Sequence, residues 1–373
     1  MIAACTLLAD KAGFLQKPVP TMRQLAARAA QTAVRALLRE AEAGPKPGLV
    51  DRFGPGVHTD MDIRHFRLSA TALGPFFEAI TLESAIFMAT MPQNGYGRFD
   101  LRPASTATSQ YADTRDAPTA LAVTLRNLGV QAESAMLSAT GGINTHKGAI
   151  LTLGLLCAAV GSLAGYGSSK AAGILPASLP RCLDTESSYL NAGIVCAHAA
   201  QLAQAILSFG VDPDSITNSG RNAITPQNMH TLPAPGMTKG LVARQAYGLR
   251  SARDEALAGF PSIQFRALPL ARKLRNSRLP EDEKVISVLL AVMCEADDTC
   301  LVARGGLPAL QAAKSTARQV LDRGGPGSGE GGILYRKMVA DFKDQGLSPG
   351  GSADLCAATL FLAELEAGLA ICC

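Results

Sequence analysis

Residues 141–156 read GGINTHKGAILTLGLL. Four polar side chains, Asn144, Thr145, His146 and Lys147, stand directly before an apolar run. That is the pattern of a chain that supplies ligand groups and then enters a buried helix. Gly141, Gly142 and Gly148 leave room beside the cluster for a ligand or another backbone to approach closely. The segments on either side repeat the helical signal. Residues 21–43 are rich in good helix formers, and Leu25, Ala29, Ala33, Leu37 and Leu38 fall on one face before Gly44 and Pro45 end the run. Helices are predicted as well over 119–139, 187–209, 284–296, 307–321 and 347–366, with part of 240–261 helical. The apolar run over 149–164 is expected to break at the Gly/Ser segment 165–169. There is no strand-like alternation, no GxGxxG after a strand and no HExxH. The predicted class is all-α, with residues 1–373 forming a single large helical domain with long irregular loops.

Composition narrows the function. Hydrophobic residues make up 47% of the chain, charged residues 18%, and the net charge is +4. This small, scattered excess does not describe a nucleic-acid surface, and 5% aromatics without Trp leave few platforms for stacking bases. Nine cysteines, several inside apolar runs, suggest buried thiols in a reducing cytoplasm. The opening MIAACTLLADKAG lacks the make-up of a signal peptide, and no apolar run is long enough to span a membrane without charge or frequent glycine. A cytoplasmic location is expected, with neither membrane nor nucleic acid as partner.

Several polar blocks interrupt the helices. Glu40 falls in the last turn of the 21–43 helix, at the negative end of its dipole, and reads either as a solvated carboxylate or as the partner of a cation or metal. Residues 44–62, GPKPGLVDRFGPGVHTDMD, are fixed by prolines and carry Lys46, Asp51, Arg52, His58, Asp60 and Asp62. They suit a phosphate and metal site as well as an ordinary loop. Asp297 and Asp298 are adjacent, which calls for exposure or a cation, and Arg304 follows. Residues 91–118 read as a surface loop, 211–241 as an inserted loop or lid, and 323–332, RGGPGSGEGG, as flexible linker-like sequence. Around Arg250, Arg253 and Glu255 a charged cluster faces either solvent or a ligand. Ser352 reads as a cap of the last helix, with Asp354 in its first turn.

Together these blocks resemble the triphosphoribosyl-dephospho-coenzyme A synthase family. The similarity rests on EAEAGPKPGLVDRFGPGVHTDMD at 40–62, GGINTHKGAILTLGLL at 141–156, EALAGFP at 255–261, DDTCLVARGG at 297–306 and SPGGSADLCAAT at 348–359, in family order. Family positions match Glu40, Lys46, Asp51, His58, Asn144, Thr145, His146, Lys147, Glu255, Asp298, Arg304 and Asp354. Asp254 stands where a glycine is common, and DDTC looks more like the malonate decarboxylase branch than the citrate lyase branch.

The resemblance implies an all-helical transferase that joins the ribose C1 of ATP to the 2′-hydroxyl of 3′-dephospho-CoA and expels adenine. Its product is the precursor of a prosthetic group. Transient contact with the prosthetic-group transferase or the acyl-carrier subunit is compatible with this and not required. On that basis His146, Glu40 and Asp298 are the candidate catalytic groups, with His146 the first choice for proton transfer. Lys46, Asn144, Thr145, Lys147 and Arg304 are the candidate substrate-binding residues. Mg²⁺ is expected among Asp51, Asp60, Asp62, Asp297 and Asp298. Two other functions suit an acidic helical pocket: a metal-dependent ADP-ribosyl or nucleoside hydrolase, and a non-catalytic nucleotide-binding scaffold.

Overall fold

The one-faced pattern of the first periodic segment folds as helix α1 (Met22–Glu42), opened by a capping box between Thr21 and Gln24. Leu25, Ala29, Ala33 and Leu37 are its buried stripe. The computed structural model describes residues 21–90, 116–171, 191–208 and 246–368. Within them follow α2 (Ile63–Thr90), α3 (Asp116–Ala139), α4 (Lys147–Ala171), α5 (Ala192–Ser208), α6 (Ala252–Leu257), a π-helical turn (Ile263–Ala267), α7 (Leu268–Arg275), α8 (Glu281–Glu295), α9 (Thr299–Asp322), α10 (Gly329–Asp344) and α11 (Gly350–Gly368). The described residues contain no strand beyond an isolated bridge between Asp51 and Gly54, so the fold is all-α. Of the segment read as a surface loop at 91–118, residues 116–118 already belong to α3; the rest of it, and the segment read as a lid at 211–241, lie outside the described residues.

Helix α2 packs on α1, α3 and α4, while α11 lies against α1, α4 and α8. Buried apolar side chains from Leu25 to Leu365 form one continuous cluster, with Phe77, Phe260 and Phe361 among the largest fully covered. Two apolar helices, α2 and Lys147–Tyr166 of α4, have the length and hydropathy of a membrane span, but 83% of the most apolar window of α4 is covered by protein, as in a core helix.

The structure corrects three local expectations. Helix α4 does not break at 165–169. A Cβ on Gly161 would lie 2.0 Å from the Thr81 carbonyl oxygen, and one on Gly165 2.2 Å from that of Ala85. These glycines therefore let α4 lie directly on the α2 backbone, and the packing outweighs their low helix propensity. Nor is 323–332 a flexible linker. The Gly325 N–H closes α9 on the Val320 carbonyl, the Ser328 hydroxyl caps α10 through the Gly331 N–H, and Glu283 fills the space where Gly327 would carry a side chain. Finally, α9 begins at Thr299, eight residues before the predicted start, and bends at Gly306 (φ 69°).

The seam between α2 and α4 yields a prediction. Gly161→Ala drives a methyl group into the Thr81 carbonyl, and should lower stability by about 1–3 kcal/mol, seen as a lower urea midpoint at unchanged slope.

Candidate active site

The chain leaves α1 through a turn with a cis Gly44–Pro45 peptide bond, and this places Lys46 back against the helix it has just left. The Lys46 Nζ donates to the Glu40 carbonyl at 2.6 Å and to Glu40 Oε1 at 2.7 Å. Both side chains are almost wholly buried, at 1% and 5% exposure, so Glu40 is the partner of a cation and not a solvated carboxylate. Burial holds the Glu40 carboxyl above its ordinary value against the pull of Lys46. Asp51 organises the loop, accepting the Lys46 N–H at 2.8 Å on one oxygen and those of Phe53 and Gly54 at 2.7 and 3.2 Å on the other.

Two carboxylates then join the starts of three helices. Asp298 caps α9, its Oδ1 accepting the N–H groups of Cys300 and Leu301 at 2.9 and 3.1 Å. Its Oδ2 accepts both the N–H and the hydroxyl of Ser352, at 2.7 and 2.8 Å, in the first turn of α11. Ser352 is thus a donor to Asp298 and not the cap of its own helix. Two residues further along α11, Asp354 accepts the Ala149 N–H at the start of α4. A Cβ on Gly148 would lie 2.0 Å from Asp354 Oδ2, so the glycine after Lys147 makes room for this carboxylate. Burial first, then the charges of Glu40 and Asp298, push the Asp354 carboxyl well above the ordinary range. Asp298 is also raised by burial, against its Ser352 donors.

His146 stands at the head of α4. Its Nδ1 meets the Ser69 hydroxyl at 2.7 Å, its ring packs edge-on to Phe66 at 5.0 Å between centroids, and its buried Nε2 has no hydrogen-bond partner. Burial, and then Lys46, press its pKa down to about 3, so the ring is neutral at physiological pH. In this setting the ring is a neutral hydrogen-bond partner of Ser69, and its lowered pKa does not favour the proton transfer expected of it from the sequence.

Other candidates lie apart from this centre. Lys147 is half exposed and pairs with Glu133, while Asn144 Oδ1 receives the Lys147 N–H at 3.3 Å. The Thr145 hydroxyl is buried without a partner. Arg304 is exposed and donates to the Gly346 carbonyl at 3.0 Å, at the end of α10. Asp60 is exposed, 4.0 Å from the His58 ring, and Asp62 is held by Arg64 and His65 at the start of α2. The expected metal ligands therefore do not converge. Among the described residues no three His, Cys, Asp or Glu side chains form a group that could hold a metal ion. The acceptor positions of Asp298 are filled by four donors, and three occupy Asp51.

A cleft opens beside the centre, lined by Thr152, Arg250, Glu255, Asp297 and Asp354 among others. The residues alone leave Arg250 and Glu255 between solvent and ligand; Glu255 and Asp354 match family positions but are not among the candidate catalytic, binding or metal residues. The signal for Asp354 was Gly148, which is explained only by the carboxylate across from it. Asp254, unusual for its position, completes a capping box with Ser251 that starts α6 and sets Glu255 on the inner side. Glu255 accepts the Ser262 N–H at 2.6 Å, and burial raises its carboxyl. Burial also opposes the charge on Asp297, but Lys314 at 2.6 Å and Arg250 outweigh it and hold that carboxyl below its ordinary value.

The raised carboxyl of Asp354 predicts a pH dependence. A group that binds its proton more tightly when folded adds stability below its unfolded value, 3.8, and loses it as pH rises through the folded value. Thermal stability should therefore fall less between mildly acidic and alkaline pH in Asp354→Asn than in the unmodified chain, as read by melting at a series of pH values.

Residues 26–372 match the family model described as ATP:dephospho-CoA triphosphoribosyl transferase. The chain is 35% identical, over 92% of each chain, to the probable 2-(5′′-triphosphoribosyl)-3′-dephosphocoenzyme-A synthase of Azotobacter vinelandii. It is 33% identical to the 2-(5′′-triphosphoribosyl)-3′-dephosphocoenzyme-A synthase of Klebsiella pneumoniae, over 89% of this chain and 92% of that one. A probable synthase of the same name from Pseudomonas fluorescens is 32% identical over 96% of this chain and 97% of its own. No solved structure matches. With the family model covering nearly its whole length, the chain belongs to the ATP:dephospho-CoA triphosphoribosyl transferase family.

Proposed function

We propose that the chain transfers the 5-triphosphoribosyl group of ATP to the 2′-hydroxyl of 3′-dephospho-CoA, with release of adenine. The observation that carries this reading is a group of three neighbouring carboxylates beside a cleft, Glu40, Asp298 and Asp354, the first of them paired with the buried Lys46 ammonium. Breaking the bond between adenine and ribose leaves positive charge on C1 and the ring oxygen, as in other glycosyl transfers. A fixed negative field stabilises that charge, and it acts strongly where water is excluded. Departing adenine also needs a proton. Asp354 suits its delivery, because the protonated form is favoured there and its carboxyl lines the cleft. His146 stays neutral and holds Ser69.

Asp297 is the carboxylate that fits a magnesium ion: it is kept ionised and faces the cleft. Magnesium commonly takes one or two protein carboxylates and completes its shell with water and substrate phosphate. When bound, it would neutralise charge on the triphosphate.

The DDTC sequence at 297–300 supports the malonate decarboxylase branch. In that setting the product passes, in the cytoplasm, to a prosthetic-group transferase and an acyl-carrier subunit, with which contact is transient.

Mass spectrometry after incubation with ATP, 3′-dephospho-CoA and magnesium should show adenine and a triphosphoribosyl adduct of dephospho-CoA. Free triphosphoribose in place of the adduct would mean hydrolysis, and no adenine would mean a scaffold. Asp354→Asn should slow adenine release by about a hundredfold or more while retaining ATP binding, since positioned proton transfer contributes on that order.

A further inference from the structure

Four cations surround the C-terminal end of α8, and two carboxylates are shared among them. Asp297 holds Lys314 Nζ at 2.6 Å and faces Arg250 Nε at 3.7 Å. Glu295 Oε1 faces Arg266 Nη1 at 3.5 Å and Arg318 Nη2 at 3.6 Å. The outer contacts are as loose: Arg250 to Glu255 at 3.6 Å and Arg266 to Asp322 at 3.7 Å. Arg318 also meets the Cys294 thiol. Elsewhere in the molecule Arg64, Arg67 and Arg272 each grip a carboxylate with two nitrogens at 2.6–3.0 Å. A guanidinium has five donors in a rigid fork, and it normally closes on an oxyanion in that bidentate way.

A helix C-terminus attracts cations by itself, through its free carbonyl groups. This accounts for Lys314 and Arg250, which reach the Glu295 carbonyl oxygen at 3.2 and 3.4 Å. It does not account for Arg266 and Arg318, which meet no carbonyl there and reach the Glu295 side chain at long range from two different elements. Arg250 and Asp297 form part of the cleft wall, so the cations extend outward from the proposed reaction site.

We infer that Arg250, Lys314, Arg266 and Arg318 form a polyphosphate site, along which the phosphate chain of a nucleotide substrate lies while its sugar enters the cleft. The nature of that substrate rests on the transferase reading. Both ATP and dephospho-CoA carry such a chain, and the oxygens of either would fill the donors left open by the long contacts. None of Lys314, Arg266 or Arg318 stands in the motifs that carry the family resemblance.

The test is titration calorimetry on the full chain with EDTA present and three probes: inorganic tripolyphosphate, ATP and 3′-dephospho-CoA. R266Q/R318Q should bind at least one probe about tenfold more weakly or worse, since two charge-assisted contacts are removed. Weakening confined to ATP and tripolyphosphate assigns the site to the triphosphate, and weakening confined to dephospho-CoA assigns it to the diphosphate. A folded variant that binds all three as tightly as the unmodified chain overturns the inference, and so does an unmodified chain that binds none. If the double variant unfolds, Arg318→Gln alone, with its side chain 51% exposed, carries the same comparison. Binding is read here without turnover. A chain that forms the adduct but is indifferent to these changes keeps the reaction and loses the site. One that binds tripolyphosphate through these arginines but forms no adduct keeps the site and loses the reaction.

Discussion

The structure depends on two carboxylates, the buried Asp298 and the partly buried Asp354, serving the free N–H groups at the starts of three helices. Every helix begins with backbone donors that lack an internal partner, and burying them unpaired is costly. Here α9 and α11 begin beside the buried Asp298, and α4 enters the core one turn after the exposed Lys147. Asp298 serves α9 and α11 together, and Asp354 serves α4 from within α11. This arrangement satisfies the donors, points three positive helix ends at one place, and concentrates negative side chains there.

The same economy leaves a surplus of carboxylate. Lys46 is committed to Glu40, and Asp51 is committed to the loop that carries Lys46. Asp298 has no acceptor position left, whereas Asp354 has one described donor and an open side toward the cleft. Crowded, partly desolvated carboxylates resist ionisation together, so one of them retains a proton more readily. A positive charge forming on a sugar carbon nearby would relieve the same crowding. Structural capping and the electrostatics of a glycosyl transfer are therefore served by one set of atoms.

Much of this was legible in the sequence. The 3.6-residue period fixed the helical class, and the blocks around Glu40, Lys46, His146 and Asp298 marked side chains that are all buried near one another. What failed did so for long-range reasons. Gly165 looked like a helix breaker because nothing local announces that Ala85 of α2 would lie against it. Lys147 and Arg304 stand in the motifs, and in the folded chain they make contacts that the motifs do not announce, with Glu133 and the Gly346 carbonyl. Proton transfer by His146 rests on the ordinary pKa of its side chain, and burial next to an ammonium lowers that pKa. Conversely, Arg266, Lys314 and Arg318 sit in sequence that reads as plain helix surface. Their convergence on the end of α8 is a tertiary fact.

The loop that carries Lys46 is joined at three points to the far end of the chain. The Tyr335 hydroxyl donates to the Pro45 carbonyl at 2.6 Å, His58 meets the Ser348 hydroxyl at 3.0 Å, and Gly48 lies so close to Leu347 that a Cβ would fall 1.8 Å from its carbonyl oxygen. Such a joint makes this wall of the site a single rigid piece with the start of α11. Across the cleft, the half-exposed Arg250 that precedes short α6 is held only by ion pairs of 3.6 and 3.7 Å. The two sides of the pocket thus differ in how firmly they are tied, one by close hydrogen bonds and backbone contact, the other by long ion pairs.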